Sequence, residues 1–156
     1  MGKSTSGYQD GTVTEATLSG VTGVEFDSEG NLIIATFNAL RKLDLSTGVV
    51  STIVGGSTAT TYLDGDKDNA GFDAINGLYI DSKDVIYIAD RHGFRHVSGN
   101  GTVTTLAGNA VQGVANGNPL DSRFHYPRGV IKTPENNFLI ADKANHVIRR
   151  INMNYP

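Results

Sequence analysis

The chain has 156 residues, a formal net charge of −3 and no cysteine. The lack of cysteine excludes disulfides, thiolate catalysis and cysteine-ligated zinc, and the negative charge argues against a general nucleic-acid-binding protein. No apolar run approaches the ~18 residues that a membrane-spanning helix needs. The first residues, Met1 to Gly7, are small and polar and lack the apolar core of a secretory signal.

An internal repeat organises the rest of the sequence. Its three copies open with Asp10-Gly11, Asp64-Gly65 and Asn116-Gly117. In each copy the opening glycine is followed, at fixed distances, by a small residue, a large apolar residue, a second glycine and an alanine. The matched sets are Ala16, Ala70 and Ser122; Leu18, Phe72 and Phe124; Gly23, Gly77 and Gly129; and Ala35, Ala89 and Ala141. Repeats of this length are typical of structures built from one supersecondary unit that stacks on its neighbours.

Each copy reads as short strands separated by turns, with no helical periodicity. In the first copy the predicted strands are Val24–Asp27, Leu32–Ala35, Leu40–Leu45 and Val49–Val54. In the second copy they are Leu78–Asp81, Val85–Ala89, Phe94–Val97 and Thr102–Ala107. The third copy reaches its third strand near Arg149, and no phrase that matches Thr102–Ala107 follows.

Four short strands in a unit of about 50 residues indicate a β-propeller blade. We therefore predict an all-β fold in which blades of four antiparallel strands form one partial propeller domain over residues 1–156. The blades span approximately residues 10–55, 64–108 and 116–156, and the last lacks its outer strand. Three blades make an open arc, and a second copy or a partner would complete a ring of six.

Two phrases of the third copy, Asn137-Phe138-Leu139-Ile140-Ala141-Asp142 and Asn145-His146-Val147-Ile148-Arg149-Arg150-Ile151, resemble the NHL repeat. The phrase that runs from Gly101 to Gly108 resembles the outer strand of an NHL blade. The resemblance implies a toroidal propeller, usually of six blades, that most often serves as a docking surface. Some relatives bind RNA through a basic face, and a minority, such as the amidating lyases, are metal-dependent enzymes. The first copy departs from the pattern, with Thr36 in place of Asp90 and Asp142.

Candidate catalytic or metal-binding groups are scattered. The four histidines do not recur at equivalent repeat positions, as the ligands of a zinc site around a propeller axis would. Residues 64–69 begin like a calcium loop, but the sixth position is Asn69 instead of glycine and the twelfth is Ile75 instead of glutamate. We interpret this segment as an acidic loop between blades. The sequence thus gives no catalytic, cofactor-binding or metal-binding residue.

Three arginines recur on the predicted third strands: Arg41, Arg95 and Arg149. They form either a basic ridge for an acidic partner or RNA, or a structural ladder that pairs with Asp44, Asp90 and Asp142. Repetition in every blade favours the ladder. The candidate interaction residues are these three arginines together with Arg150 and His146, and the NHL resemblance gives His146 a role in fixing the loop between strands.

The sequence as a whole predicts a non-catalytic NHL-type propeller module for protein–protein interaction or assembly. Its partners would be other copies of itself, as a ring-closing homodimer, or the rest of a larger complex. We expect the end sheets to expose rows such as Ile33-Ile34 and Leu139-Ile140, and residues 4–8 to pair with the open edge of another copy. The alternatives are a fragment of an NHL-propeller metal-dependent lyase or hydrolase, and an engineered or excised repeat segment with no activity of its own.

Overall fold

A computed structural model of the chain describes residues 2–56 and 61–153 and contains three antiparallel sheets. The strands of the first sheet are β1 (Gly11–Thr12), β2 (Gly23–Phe26), β3 (Leu32–Ala35), β4 (Ala39–Asp44) and β5 (Val49–Gly55). Those of the second are β6 (Ile75–Ile80), β7 (Ile86–Asp90), β8 (Gly93–Val97) and β9 (Val103–Gly108). Those of the third are β10 (Pro127–Lys132), β11 (Phe138–Asp142) and β12 (Val147–Ile151).

In each sheet the strands of the blade follow one another in chain order, and in the first sheet the short β1 is added beside β5. The spatial orders are β1-β5-β4-β3-β2, β6-β7-β8-β9 and β10-β11-β12. The innermost strands of adjacent blades contact each other, β2 with β6 and β6 with β10. The predicted all-β fold of stacked antiparallel sheets is confirmed. The second sheet has the four strands of a blade, the first has these four and the short β1, and the third has three within the described residues.

The first hairpin of the first two blades is set by an aspartate at the end of its first strand. Asp27 accepts hydrogen bonds from the backbone N–H groups of Glu29 and Asn31, and Asp81 accepts them in the same way from Lys83 and Val85. A carboxylate that accepts hydrogen bonds from the backbone N–H groups of the next few residues favours a tight turn. This local chemistry fixes the register of the buried strand that follows.

Apolar side chains pack between blades, as the alternation of a β-strand requires. Ile33 lies in a cluster shared with the second blade, which includes Phe72 and Ile88. A second cluster joins Tyr87 of the second blade to Phe138 of the third, with ring centroids 4.4 Å apart. Adjacent sheets therefore share their cores.

The free side of the first blade is only partly covered. Ile34, which faces away from the second blade, packs against Ala16 and the residues around it. The predicted exposure of Ile33 and Ile34 is therefore wrong, because the second blade buries one side chain and the chain's own residues 13–18 bury the other. The predicted exposure of Ile140 is wrong as well, because it packs against the second blade and is fully buried.

The N-terminal segment also lies on the first blade. Lys3 N–H donates to the carbonyl of Ala16 over 2.9 Å, and the hydroxyl of Ser6 donates to that of Ser19 over 2.9 Å. The prediction that residues 4–8 pair with another copy is not what this arrangement shows, since the segment is held by its own chain.

Helical structure in the described residues is limited to two 3₁₀ turns, Pro119–Asp121 and Lys143–Asn145. No helix in the described residues is long and apolar enough to cross a membrane.

Candidate functional site

The three repeated arginines occupy equivalent positions on the third strand of each blade, on β4, β8 and β12. Arg41 and Arg95 are fully buried and Arg149 nearly so. Each donates to two backbone carbonyls of the segment that enters its blade: those of Gln9 and Thr17, of Leu63 and Gly71, and of Ala115 and Arg123. The guanidinium fork suits this bridging because its N–H donors are fixed in one plane.

The acidic partners of these arginines lie at two places in the repeat, its first residue and the end of the second strand of the blade. Arg41 contacts Asp10 at 2.7 Å, and Arg95 contacts Asp64 at 2.8 Å and the fully buried Asp90 at 2.9 Å. Arg149 contacts Asp142 at 3.2 Å. The arginine ladder is therefore a structural feature, although its partner in the first blade is Asp10 instead of the predicted Asp44.

Asp44 has a different role. It is the last residue of β4, where it accepts hydrogen bonds from the hydroxyl and backbone N–H of Ser46 in the turn that follows. These bonds lower the pKa of Asp44 to about 2. The sequence placed Asp44 beside the arginine because both lie on β4, but their spacing of three residues directs the two side chains to opposite faces of the strand.

Asp10 and Asp64 also hold the outer strand of their blade. The Asp64 carboxylate accepts from the backbone N–H of Thr105 over 2.8 Å and from its hydroxyl over 2.9 Å, and Asp10 binds Thr52 in the same way. Burial favours the neutral form of Asp64, but the hydrogen bonds from Thr105 and Arg95 outweigh it and lower its pKa. Each aspartate thus joins the entering segment, the third strand and the fourth strand.

The basic ridge proposed from sequence is not presented to a partner by these three arginines, because their guanidinium groups are enclosed. Of the five candidate interaction residues, only Arg150 and His146 are exposed. His146 ends the 3₁₀ turn with φ of 58°. The loop is fixed by its neighbour Asn145, whose amide donates to the carbonyl of Gly113 and to Asp142.

Sequence reasoning missed a polar cluster where the loop between β7 and β8 meets the segment that enters the third blade. The rings of His92 and His125 lie 6.0 Å apart, and Tyr126 contacts both. Arg91 pairs with Asp73 at 3.0 Å and lies over the Tyr126 ring. Burial, followed by the charge of Arg91, lowers the pKa of His92. The two histidines occupy different positions of the repeat, so the repeat pattern gave no reason to pair them. Finding the cluster from sequence would have required knowing which loops meet at the same end of neighbouring blades.

No group of three histidine, aspartate or glutamate side chains in residues 2–56 and 61–153 is placed to hold a metal ion. In the acidic loop after Asp64, the Asp66 carboxylate accepts hydrogen bonds from the backbone N–H groups of Asp68 and Asn69. The loop therefore uses this carboxylate to hold its own turn.

Both ends of the arc expose residues whose repeat equivalents are buried. On the free side of the first blade, Phe26 is 61% exposed, whereas Ile80 at the same position of the second blade is 9% exposed. On the free side of the third blade, Ile148 is 67% exposed, whereas its equivalents Leu40 and Phe94 are fully buried. The other exposed apolar residues on these two faces are Val24 and Ile131.

A repeated glycine on the inner strand has different surroundings in the second and third blades. In the second blade a Cβ atom on Gly77 would lie 1.8 Å from the carbonyl oxygen of Arg128, because the next blade approaches that closely. At the equivalent Gly129 a Cβ atom would meet only Ala141, at 3.9 Å. At Gly23, the equivalent position of the first blade, a Cβ atom would meet only the side chain of Leu78 in the second blade, at 3.7 Å, so neighbouring blades approach this position to different extents. The third blade keeps a glycine at this position, and no neighbouring blade lies against it within the described residues.

Comparison with known proteins places these features in a wider fold group. No family model matches the chain, and no curated protein matches its sequence. A solved protein of unknown function from Bacteroides thetaiotaomicron is 26% identical, with a TM-score of 0.76 over 89% of this chain and 38% of its own. An auxiliary nutrient binding protein from the same organism is 25% identical, with a TM-score of 0.71 over 83% of this chain and 36% of its own.

More distant in sequence is the virginiamycin B lyase of Staphylococcus aureus, 12% identical with a TM-score of 0.53 over 88% of this chain and 42% of its own. These similar structures are propeller-like β-sheet proteins. The chain spans less than half the length of each.

Proposed function

We propose that the chain is a non-catalytic, NHL-type propeller module whose end faces assemble with further blades, and that a second copy supplies them. The observation that carries the proposal is the pair of end faces, which expose Phe26 and Ile148 at positions that are buried between blades elsewhere in the same chain. Apolar patches of this kind favour association because covering them removes apolar surface from water.

The repeat itself indicates how the faces would meet. Phe72 enters the second blade and packs in the same cluster as Leu40 of the first, and Phe124 packs in the same cluster as Phe94. Leu18 is the equivalent entering residue of the first blade, and Ile148 is the equivalent of Leu40 and Phe94. A second copy that follows the same geometry would place its Leu18 against Ile148, and two copies would give six blades.

One of the similar structures supports a binding role. It is described as an auxiliary nutrient binding protein. A rigid ring that presents loops at its ends suits such a role, since binding residues are often carried by loops on a rigid scaffold. For this chain the bound partner proposed is its own second copy, or a larger protein that supplies equivalent blades.

The substitution Gly129→Leu tests the proposal with little effect on the single chain. A Cβ atom at this position meets only the Cβ of Ala141 within its own chain, at 3.9 Å, whereas a leucine side chain would project into a blade docked on this face. We expect the wild-type chain to elute as a dimer in size-exclusion chromatography with light scattering, and Gly129→Leu to elute as a folded monomer.

The matched control is Gly99→Leu, in a turn where an added Cβ meets nothing within 4 Å. It should associate like the wild type. Equal association of all three proteins, with circular dichroism spectra unchanged, would show that the third end face is not an assembly surface.

A further inference from the structure

A cleft lies between the first and second blades, beside the turns of their first hairpins. Its volume is about 240 Å³. Both walls belong to sheets in which all four strands of the blade are described. The apolar part of the lining consists of four isoleucines, Ile33, Ile53, Ile80 and Ile86. We call this space the first cleft.

The rim of the first cleft is acidic. Asp27, Glu29 and Asp84 contribute three carboxylates and Lys42 one ammonium, which leaves two negative charges in excess. Lys42 lies 3.1 Å from Asp27 and 3.5 Å from Glu29. Asp84 accepts hydrogen bonds from the backbone N–H and the hydroxyl of Ser28, and no described lysine or arginine pairs with it. A rim of this charge attracts cations.

The equivalent space between the second and third blades, the second cleft, is occupied by a lysine side chain. The Nζ atom of Lys132 lies 3.0 Å from the Asp81 carboxylate. The same atom lies 5.4 Å from the ring centroid of Tyr87 and 5.6 Å from that of Phe138. The second cleft thus holds an ammonium group and its apolar stem between two blades, with a carboxylate as the counter-ion.

The first cleft keeps the carboxylate but lacks the side chains that fill the second. The residues at matching repeat positions are Asp27 and Asp81, Ile80 and Lys132, Ile33 and Tyr87, and Ile86 and Phe138. Isoleucine is shorter than lysine and smaller than tyrosine or phenylalanine. The three substitutions therefore leave open, in the first cleft, the space that a lysine stem and two rings occupy in the second.

Asp84 places a charge at a turn position that does not need one. Its φ is 58°, and the residues at the same position of the first and third blades, Gly30 and Asn136, have φ of 80° and 65°. Glycine and asparagine readily adopt this left-handed conformation and carry no charge. Among the three blades, only the second has a carboxylate here, and that carboxylate lines the first cleft.

We propose that the first cleft binds a primary alkylammonium ion with an unbranched stem of about four or five carbons, close to the length of a lysine stem. The stem would lie against the isoleucines, where its apolar surface is removed from water. The ammonium would donate to Asp84 at the rim, which accepts charge-assisted hydrogen bonds. This site is independent of the proposed assembly, since it involves none of the residues of the end faces.

The probe is pentylammonium chloride, titrated into the isotopically labelled full chain and followed by NMR. We expect saturable shifts of the Ser98 and Gly99 amides, which line the cleft, with a Kd of about 1 mM for so small a ligand. Pentanol has the same stem without the charge. It should bind at least about tenfold more weakly, because it forms no charge-assisted hydrogen bond.

Asp84→Asn tests the carboxylate while keeping an oxygen that can accept from Ser28 and a residue type that the third blade has at this position. We expect it to fold like the wild type and to bind pentylammonium about tenfold more weakly. The matched control is Asp121→Asn, which removes the same charge from the 3₁₀ turn that precedes the third blade. It should bind like the wild type.

Ile80→Lys introduces into the first cleft the lysine that fills the second, and it should abolish binding of the probe. The blocked dipeptide acetyl-lysine methylamide distinguishes two sources of the ligand. Affinity equal to that of pentylammonium would identify a lysine side chain of another polypeptide, and weaker binding would identify a free amine. The proposal is overturned if pentanol binds as tightly as pentylammonium, if Asp84→Asn or a folded Ile80→Lys binds like the wild type, or if the amide shifts do not saturate.

Discussion

Arg95 shows how a buried charge is accommodated in this fold. Its guanidinium is fully enclosed and is satisfied by Asp64, Asp90 and two backbone carbonyls. Burial raises the pKa of Asp90, although the charge of Arg95 opposes that effect. Burying the pair costs the desolvation of both charged groups, and their mutual attraction offsets that cost. Removing one partner therefore leaves the other as a buried charge without its counter-ion.

The first testable consequence is a difference between two equivalent arginines. Arg95→Met leaves Asp90 buried and unpaired, and we expect it to lower the free energy of unfolding by about 3–5 kcal/mol. Arg41→Met leaves Asp10, whose side chain is half exposed, able to bind water, and its loss should be smaller, about 1–3 kcal/mol. Urea denaturation measures both, and equal losses would contradict this account of the arginine ladder.

The recurrence of these arginines was visible in the sequence, and so was the preference for a structural role. Their true partner in the first blade was not, because Asp10 lies 31 residues away and reaches Arg41 only when the entering segment folds back over the blade. The His92–His125 pair was hidden for the same reason. Contacts between loops of neighbouring blades depend on how the blades stack, which strand periodicity does not report.

At the scale of strands, the alternation of apolar residues was enough to predict most elements. Leu32–Ala35 agrees with the prediction, while the inner strand of the second blade begins at Ile75 instead of Leu78. The earlier start has a tertiary cause, because Ile75 N–H donates to the carbonyl of Phe37 in the first blade.

The repeated alanine of the second strand provides a test of blade packing. Ala89 is fully buried between the second and third blades, so Ala89→Leu should overpack that layer and cost about 1–3 kcal/mol. Ala141 occupies the same position on the free side of the third blade and is half-buried. We expect Ala141→Leu to cost less than about 0.5 kcal/mol when unfolding is measured at a protein concentration low enough to keep the chain monomeric, as surface changes do.

Thermal unfolding followed by circular dichroism would compare the two substitutions. A similar loss of stability for Ala89→Leu and Ala141→Leu would mean that the free side of the third blade is packed like an interior layer within a single chain.

For the whole molecule, the central feature is a difference between its middle and its ends. Repeat positions that a neighbouring blade buries in the middle of the chain are exposed on the two end blades. Phe26 and Ile148 lie at positions where the neighbouring blade covers Ile80 and Phe94. Gly129 is small at a position where Gly77 must be small to admit the next blade. The sequence predicted an open arc, but it named the wrong exposed residues, since Ile34 is covered by the entering segment.

The mass of the wild-type chain in solution tests the proposed assembly most directly. Sedimentation equilibrium at micromolar concentration should give twice the chain mass of 16.6 kDa, because two arcs cover each other's end faces in a six-bladed ring. A stable, cooperatively folded particle of 16.6 kDa, with no tendency to associate as concentration rises, would contradict the claim that these end faces are built to be covered by a second copy.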